Sequence, residues 1–310
     1  MTIIYDAVLS YLTWPWTLVI ILLILNFKNI PWMWHARFLR SLLDCLVFGR
    51  NKPDQLTPDA LFLPSITSTH APLSECDYNL HKSNSTYWTD LDMSRGRLGL
   101  LLFQKGLSVF PGKDATLSIL SSNSIVFRQE IKPFQSYEIW TRVLSWDHKW
   151  LYLVSHIVVK GRFKPESCFL QPQVKGRKGK SSQRPASKEQ RLKGIYASAI
   201  SRYVFKKGRV TVPPSKMLDH CGLLPLALPS HDTNERTSRN DMMTSDSLNI
   251  RSNEHLYFDE NKVQLLQAIE KRRIDALPIA QLLAGWDAVH DQFMGDTEPA
   301  LGRYADLLWG

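Results

Sequence analysis

The sequence predicts an α+β protein: one long helix, then a run of antiparallel strands, with apolar helical segments added at both ends. Three observations predict it. Tyr87, Leu91, Leu98, Leu101 and Leu102 recur at helical spacing between residues 84 and about 103. Downstream, residues 137–144 alternate in polarity and residues 150–159 are almost continuously aliphatic or aromatic, with the turn sequence Trp146-Asp147-His148-Lys149 between them. Near the N-terminus, residues 7–27 carry no charged side chain.

That apolar run reaches about 32 Å as a helix, the thickness of a bilayer core. Pro15 marks its start or a kink. No Lys or Arg precedes the run and no small-residue cleavage motif follows it, which argues against a secretory signal. Lys28, Arg37, Arg40, Arg50 and Lys52 come after it. The positive-inside rule then expects a single-pass protein with its main domain in the cytosol.

Residues 31–48 form a second amphipathic pattern. Phe38, Leu39, Leu42, Leu43 and Leu46 share one face, with Arg37, Arg40, Ser41 and Asp44 opposite, and Trp32 and Trp34 suit headgroup depth. Such a helix lies at a membrane interface or packs on the folded domain, and the pattern suits both. Residues 1–50 are thus read as a membrane anchor with an interfacial helix, and 51–64, with three prolines, as a linker.

The main domain is expected over 65–228. Within it, residues 161–194 hold ten Lys or Arg against two Glu, a composition that cannot bury a core and reads as a disordered insert. Much of the chain's net charge of +9 lies there. A basic tether for anionic groups and a plain solvated loop both fit. The scarcity of aromatics in the insert argues against nucleic-acid binding. Residues 195–205 resume strand character, Lys206-Lys207-Gly208-Arg209 turns into 210–212, and Pro213-Pro214 ends that strand. Residues 229–258 read as a mobile linker and 259–310 as a helical extension, with helices near 260–273 and 279–293. The four cysteines are scattered, with neither metal-ligand spacing nor a disulfide framework, so no metal and no cofactor is implied. The absence of Gly-x-Ser-x-Gly, P-loop and dinucleotide glycine patterns excludes a serine α/β-hydrolase and the common nucleotide enzymes.

The densest chemistry lies just before the long helix. Asp77 is followed at +2 by Asn79, at +4 by His81, at +7 by Asn84 and at +10 by Tyr87. This spacing resembles the signature loop of hot-dog-fold thioesterases, especially hydrolases of long-chain acyl-CoA and acyl-carrier-protein substrates. Together with Ile131-Lys132-Pro133-Phe134, Trp146-Asp147-His148-Lys149-Trp150 and Val204-Phe205-Lys206-Lys207-Gly208-Arg209, the chain is similar over about 62–215 to membrane-anchored thioesterase-like proteins encoded with fungal secondary-metabolite pathways. The resemblance implies a sheet wrapped around a central helix, a homodimer with the acyl site at its interface, and a role in lipid or polyketide-type biosynthesis. It maps the catalytic set onto Asp77, Asn79 and His81.

Thioester hydrolysis needs an activated water or a carboxylate nucleophile, and somewhere for the oxyanion. The leaving thiol, with a pKa near 8.5 by analogy with cysteine, needs little acid help. Asp77 suits the base or nucleophile, Asn79 a water holder, and His81 a carbonyl polariser or an orienter of Asp77. Backbone amides of residues 84–86 suit the oxyanion. Asn84, Tyr87 and, from the helix, Asp92 are expected to bind substrate or support the loop; Asp90 lies in the same region. Plainer roles exist for each: Asp77 and Asn79 as turn formers, Ser83 or Asn84 as the helix cap, Tyr87 as packing. The reading is a thioesterase acting on acyl-CoA or carrier-bound acyl chains at a membrane surface. A non-catalytic acyl-binding or scaffold protein is the alternative. A hot-dog dehydratase fits the Asp-to-His spacing less well.

Overall fold

A computed structural model describes residues 2–46, 56–108, 115–171, 192–224, 246–282 and 299–305, with isolated positions at 112, 289, 291–293 and 295. The helices are α1 (Thr2–Leu25), α2 (Met33–Leu46), α3 (Tyr87–Leu102), α4 (Pro214–His220) and α5 (Asp246–Ala280). The strands are β1 (Ser65–His70), β2 (Thr116–Phe127), β3 (Ser136–Trp146), β4 (Leu151–Val159), β5 (Ile195–Lys207), β6 (Val210–Val212) and β7 (Gly302–Ala305). They form one sheet in the order β2-β5-β4-β3-β1-β7, with β6 paired to β5.

The expected α+β arrangement is present. α3 lies against one face of the sheet. At its N-terminal end Tyr87 and Leu91 pack on Tyr137, Ile139, Ile157 and Ala197. Towards its C-terminal end Leu98, Leu102 and Phe103 pack on Val143, Trp146, Leu151 and Phe205. Between them, Ser94 Oγ and Thr141 Oγ1 are 2.7 Å apart, and Thr141 Oγ1 lies 2.8 Å from Ser155 Oγ. These buried polar side chains hydrogen-bond to one another, which makes their burial tolerable. The far face of the sheet is covered by α5, whose Ala276 and Ala280 meet Leu144, Tyr152 and Val154. That cover explains β3: its alternation predicts one wet face, yet nearly the whole strand is buried. Asp147 Oδ1 accepts from the amides of Lys149 and Trp150 and closes the β3–β4 turn as the sequence predicts.

Several expectations are corrected. Among the described residues no helix is long and apolar enough to cross a membrane. Of the two places open for Pro15, the start or the interior of the helix, it sits in the interior of α1. The sheet is mixed rather than wholly antiparallel, because β7 adds to β1 in parallel. β7 lies where only helix was expected, since four residues carry too short a pattern to reveal a strand. α5 begins at Asp246, inside the stretch read as a mobile linker. The predicted linker 51–64 ends in core, with Ala60, Leu61, Phe62 and Leu63 buried. The basic insert falls largely on 172–191 and the second C-terminal helix largely on 283–288, both outside the described residues.

Of the two readings left open for α2, packing on the folded domain is present. It packs on α3, and it does so through its charged face. Arg37 is buried against Asp90, and Asp44 Oδ2 lies 3.1 Å from Arg97 Nη2. Leu39 and Leu43 of its apolar face, with Trp34, point outward and are exposed.

Candidate active site

The chain leaves β1, makes a short turn, and enters a tight loop closed by a bridge between Cys76 and Lys82. Inside it, the Asp77 amide donates to the His81 carbonyl at 3.0 Å, and the Leu80 amide donates to the Asp77 carbonyl at 3.0 Å. Asp77 Oδ1 accepts the Asn79 amide at 2.9 Å, the self-bonding that makes aspartate a turn former. Leu80 takes a positive φ of 59° to complete the reversal. This folding brings His81 Nδ1 to 3.5 Å from Asp77 Oδ2. Both side chains are about one-quarter exposed, enough to meet a substrate.

The other candidates sit apart. The Asn79 side chain is exposed at the tip, and its backbone rather than its amide group supports Asp77. Asn84 is exposed on a 3₁₀ turn, Asn84–Thr86, that leads into α3. Neither Ser83 nor Asn84 caps α3. The cap position is Thr86, whose hydroxyl turns back to the Ser83 carbonyl at 2.7 Å. The Thr86 amide also goes to the Ser83 carbonyl, which leaves the amides of Asn84 and Ser85 as oxyanion donors to consider. Tyr87 is buried edge-on to Phe127, a packing role. Asp92 is ion-paired with Arg95, further along α3 and away from the loop.

Beneath the loop lies a cluster that sequence reasoning missed. Glu75 and Asp90 are buried among Lys28, Lys82 and Arg37. Lys28 Nζ is 2.9 Å from Glu75 and 2.8 Å from Asp90. Arg37 Nη2 is 3.0 Å from Asp90, and Lys82 Nζ is 3.1 Å from Asp90 and also pairs with Glu75. The Tyr137 hydroxyl donates to Asp90. Burial alone would raise the Asp90 pKa, but Lys28, Lys82 and Arg37 outweigh it and hold the carboxyl far below the usual range. Tyr137 is pushed well up by burial and by the nearby carboxylates. Lys82 was visible within the loop motif, yet nothing local marks it as buried. Its partners Glu75 and Asp90 lie nearby in sequence, whereas Lys28 and Arg37, which share Asp90 with it, arrive from a distant part of the chain. Among the described residues no group of three His, Cys, Asp or Glu could hold a metal ion.

The arrangement offers a carboxylate beside an imidazole on an accessible loop, braced from below by a buried ionic cluster. Residues 71–170 match the model of the thioesterase-like superfamily. The chain is 38% identical to the probable thioesterase atnL of Emericella nidulans, over 66% of this chain and 70% of that protein. It is 34% identical to the thioesterase poxG of Penicillium oxalicum, over 95% of this chain and 92% of that protein. Among solved structures, the probable thioesterase YbaW from Escherichia coli matches 51% of this chain and 96% of its own, at 13% identity and a TM-score of 0.33.

Proposed function

We propose that the chain, which belongs to the thioesterase-like superfamily and is a thioester hydrolase, uses Asp77 as its base or nucleophile on acyl-CoA or carrier-protein-bound acyl thioesters. The observation that carries the assignment is the 3.5 Å approach of His81 to Asp77 on an accessible loop ahead of α3. In the base route, water loses its proton to Asp77 as it attacks the thioester carbon. The carbonyl oxygen becomes the oxyanion, and the C–S bond breaks to release the thiolate and the carboxylic acid. His81 orients the carboxylate, and the Asn79 side chain at the tip holds the water. The amides of Asn84 and Ser85 receive the oxyanion. Secondary-metabolite biosynthesis, with polyketide-type acyl chains, is the setting that the resemblance implies.

Two further features belong to this reading. The apolar side chains of α1 from Trp14 to Leu25 are exposed, and so are Trp32, Leu39 and Leu43. So much exposed apolar area supports action at a membrane surface. Among the described residues β2 stands at the sheet edge with one side unpaired, which supports a homodimer formed along it. Light scattering on the eluting protein measures the second point.

The test is thiol release from acyl-CoAs by the wild type and by Asp77→Asn. Asparagine keeps the Oδ1 acceptor that holds the turn but cannot take a proton. Loss of hydrolysis in a folded variant supports the assignment, and undiminished hydrolysis removes Asp77 from it.

A further inference from the structure

Between α1 and α2 the chain makes a 3₁₀ turn, Phe27–Asn29, with Asn26 just before it. The turn lies well ahead of residue 71, where the superfamily match begins. Its polar side chains all reach one stretch of chain. Asn26 Oδ1 accepts the Ser74 amide at 2.8 Å, and Asn29 Nδ2 donates to Ser74 Oγ at 2.9 Å. Lys28 Nζ donates to the His70 carbonyl at 3.0 Å. That stretch, 70–75, is the approach to the Asp77–His81 loop. Lys28 is buried, and a buried charge is tolerated only where it is paired; Glu75 and Asp90 pair with it.

Glu75 carries the contact onward. Its side chain pairs with Lys28 and with Lys82. Its carbonyl accepts the Ser83 amide at 2.8 Å and the Thr86 hydroxyl at 3.4 Å. Lys82 Nζ in turn reaches the Thr86 carbonyl at 3.5 Å. Asp77 and His81 lie between Glu75 and Lys82 in the chain, and Asn84 and Ser85 lie between Ser83 and Thr86. One residue, Glu75, thus clamps the foot of the loop and both ends of the turn that presents the oxyanion amides. Lys28 shares both acids with Lys82, the neighbour of His81. Without Lys28, more of the pull of those acids falls on Lys82, and the loop moves with it.

We propose that Lys28 is a positioning residue for thioester hydrolysis. Through Glu75 and Lys82 it sets the separation of the Asp77–His81 pair from the amides of Asn84 and Ser85. The proposal rests on the reading that this loop carries the reaction. The N-terminal segment thereby becomes part of the active centre, although the superfamily match does not include it.

The test uses the full chain, Lys28→Met, the double variant Asn26→Ala with Asn29→Ala, and Asp77→Asn as the reference. kcat and KM are measured by thiol release from butanoyl-CoA and dodecanoyl-CoA. Circular dichroism fixes the folded fraction of each variant at the assay temperature. Lys28→Met is expected to lose roughly 10² in kcat per folded molecule on both substrates, since a 1 Å misplacement costs about that much. KM is held, because the separation matters in the transition state and not in binding. The double variant loses less, in the same direction, because the surface ties go and the ionic cluster stays. A role confined to stability lowers the folded fraction and leaves kcat per folded molecule at the wild-type value, and that result overturns the proposal. A raised KM with kcat held also overturns it. If Lys28→Met does not fold, the double variant decides by the same two criteria. Asp77→Asn separates the two readings. If it is inactive while Lys28→Met turns over normally, the positioning role falls and the loop keeps the chemistry. If Asp77→Asn itself turns over normally, the loop reading fails and the positioning role fails with it.

Discussion

Lys28, just beyond α1, and Asp90, in the first turn of α3, meet at 2.8 Å with both side chains buried. The contact ties the N-terminal segment to the helix that carries the candidate loop at its start. It also shares its acids with Lys82, the residue after His81. The loop therefore rests on an ionic cluster whose members come from α2, α3, β3 and the segment between α1 and α2.

This contact predicts acid sensitivity. The folded pKa of Asp90 lies below its unfolded value, so its stabilisation is complete above about pH 4 and is lost as pH falls below that value. The slope for this one group is at most about 1.4 kcal/mol per pH unit. Urea unfolding followed between about pH 6 and pH 3 measures it. Lys28→Met removes one cation from a buried network and is expected to cost about 3 kcal/mol near neutral pH. An unchanged urea midpoint in that variant would show that the cluster carries little stability.

In the loop, the backbone and side-chain roles separate. Asp77→Asn is expected to lower turnover by roughly 10² to 10⁴, with the unfolding midpoint held, because the Asx turn survives. His81→Asn is expected to lose roughly 10². Asn79→Ala leaves the backbone bond to Asp77 intact, so any loss it shows reports the amide side chain alone. Steady-state thiol release, read beside circular dichroism, separates these effects. Normal turnover in His81→Asn would remove the imidazole from the mechanism.

The exposed face of α2 predicts vesicle binding. Leu39→Glu with Leu43→Glu alters only outward side chains. Burying a leucine side chain is worth about 1.5–3 kcal/mol, so the pair is expected to lower partitioning by roughly a hundredfold or more. Co-sedimentation with phosphatidylcholine–phosphatidylserine vesicles measures it, with hydrolysis of a short, water-soluble acyl-CoA as the internal control. Equal sedimentation of variant and wild type would end the membrane-surface reading for this helix.

The last strand predicts a stability effect at a distance. Arg303 on β7 pairs with Glu138 on β3, and the Glu138 side chain is fully buried. Its other partners are the Trp140 indole N–H at 3.2 Å and the Gly161 amide at 3.3 Å. Arg303→Met leaves that carboxylate without its cation and is expected to cost about 3 kcal/mol in urea unfolding. A cost near zero would mean that the two neutral donors satisfy Glu138 by themselves.

Local pattern alone determined much of this protein. The helical spacing from Tyr87 to Leu102 and the strand character of β3, β4 and β5 were legible because their periodicities are properties of consecutive residues. The Asp77–His81 loop was legible as a polar turn because Asp and Asn bond their own backbone over two residues. Tertiary structure alone decided which way charged residues face. Arg37 and Asp44 read as the wet side of an amphipathic helix, yet Arg37 is buried on α3 and Asp44 half-buried there, because acids and bases supplied by remote segments satisfy them. Lys28 reads as a flanking basic residue but is a core ion pair for the same reason. β7 and the cover that α5 places over β3 were likewise invisible, since each depends on contacts between residues far apart in the chain, which no local period encodes.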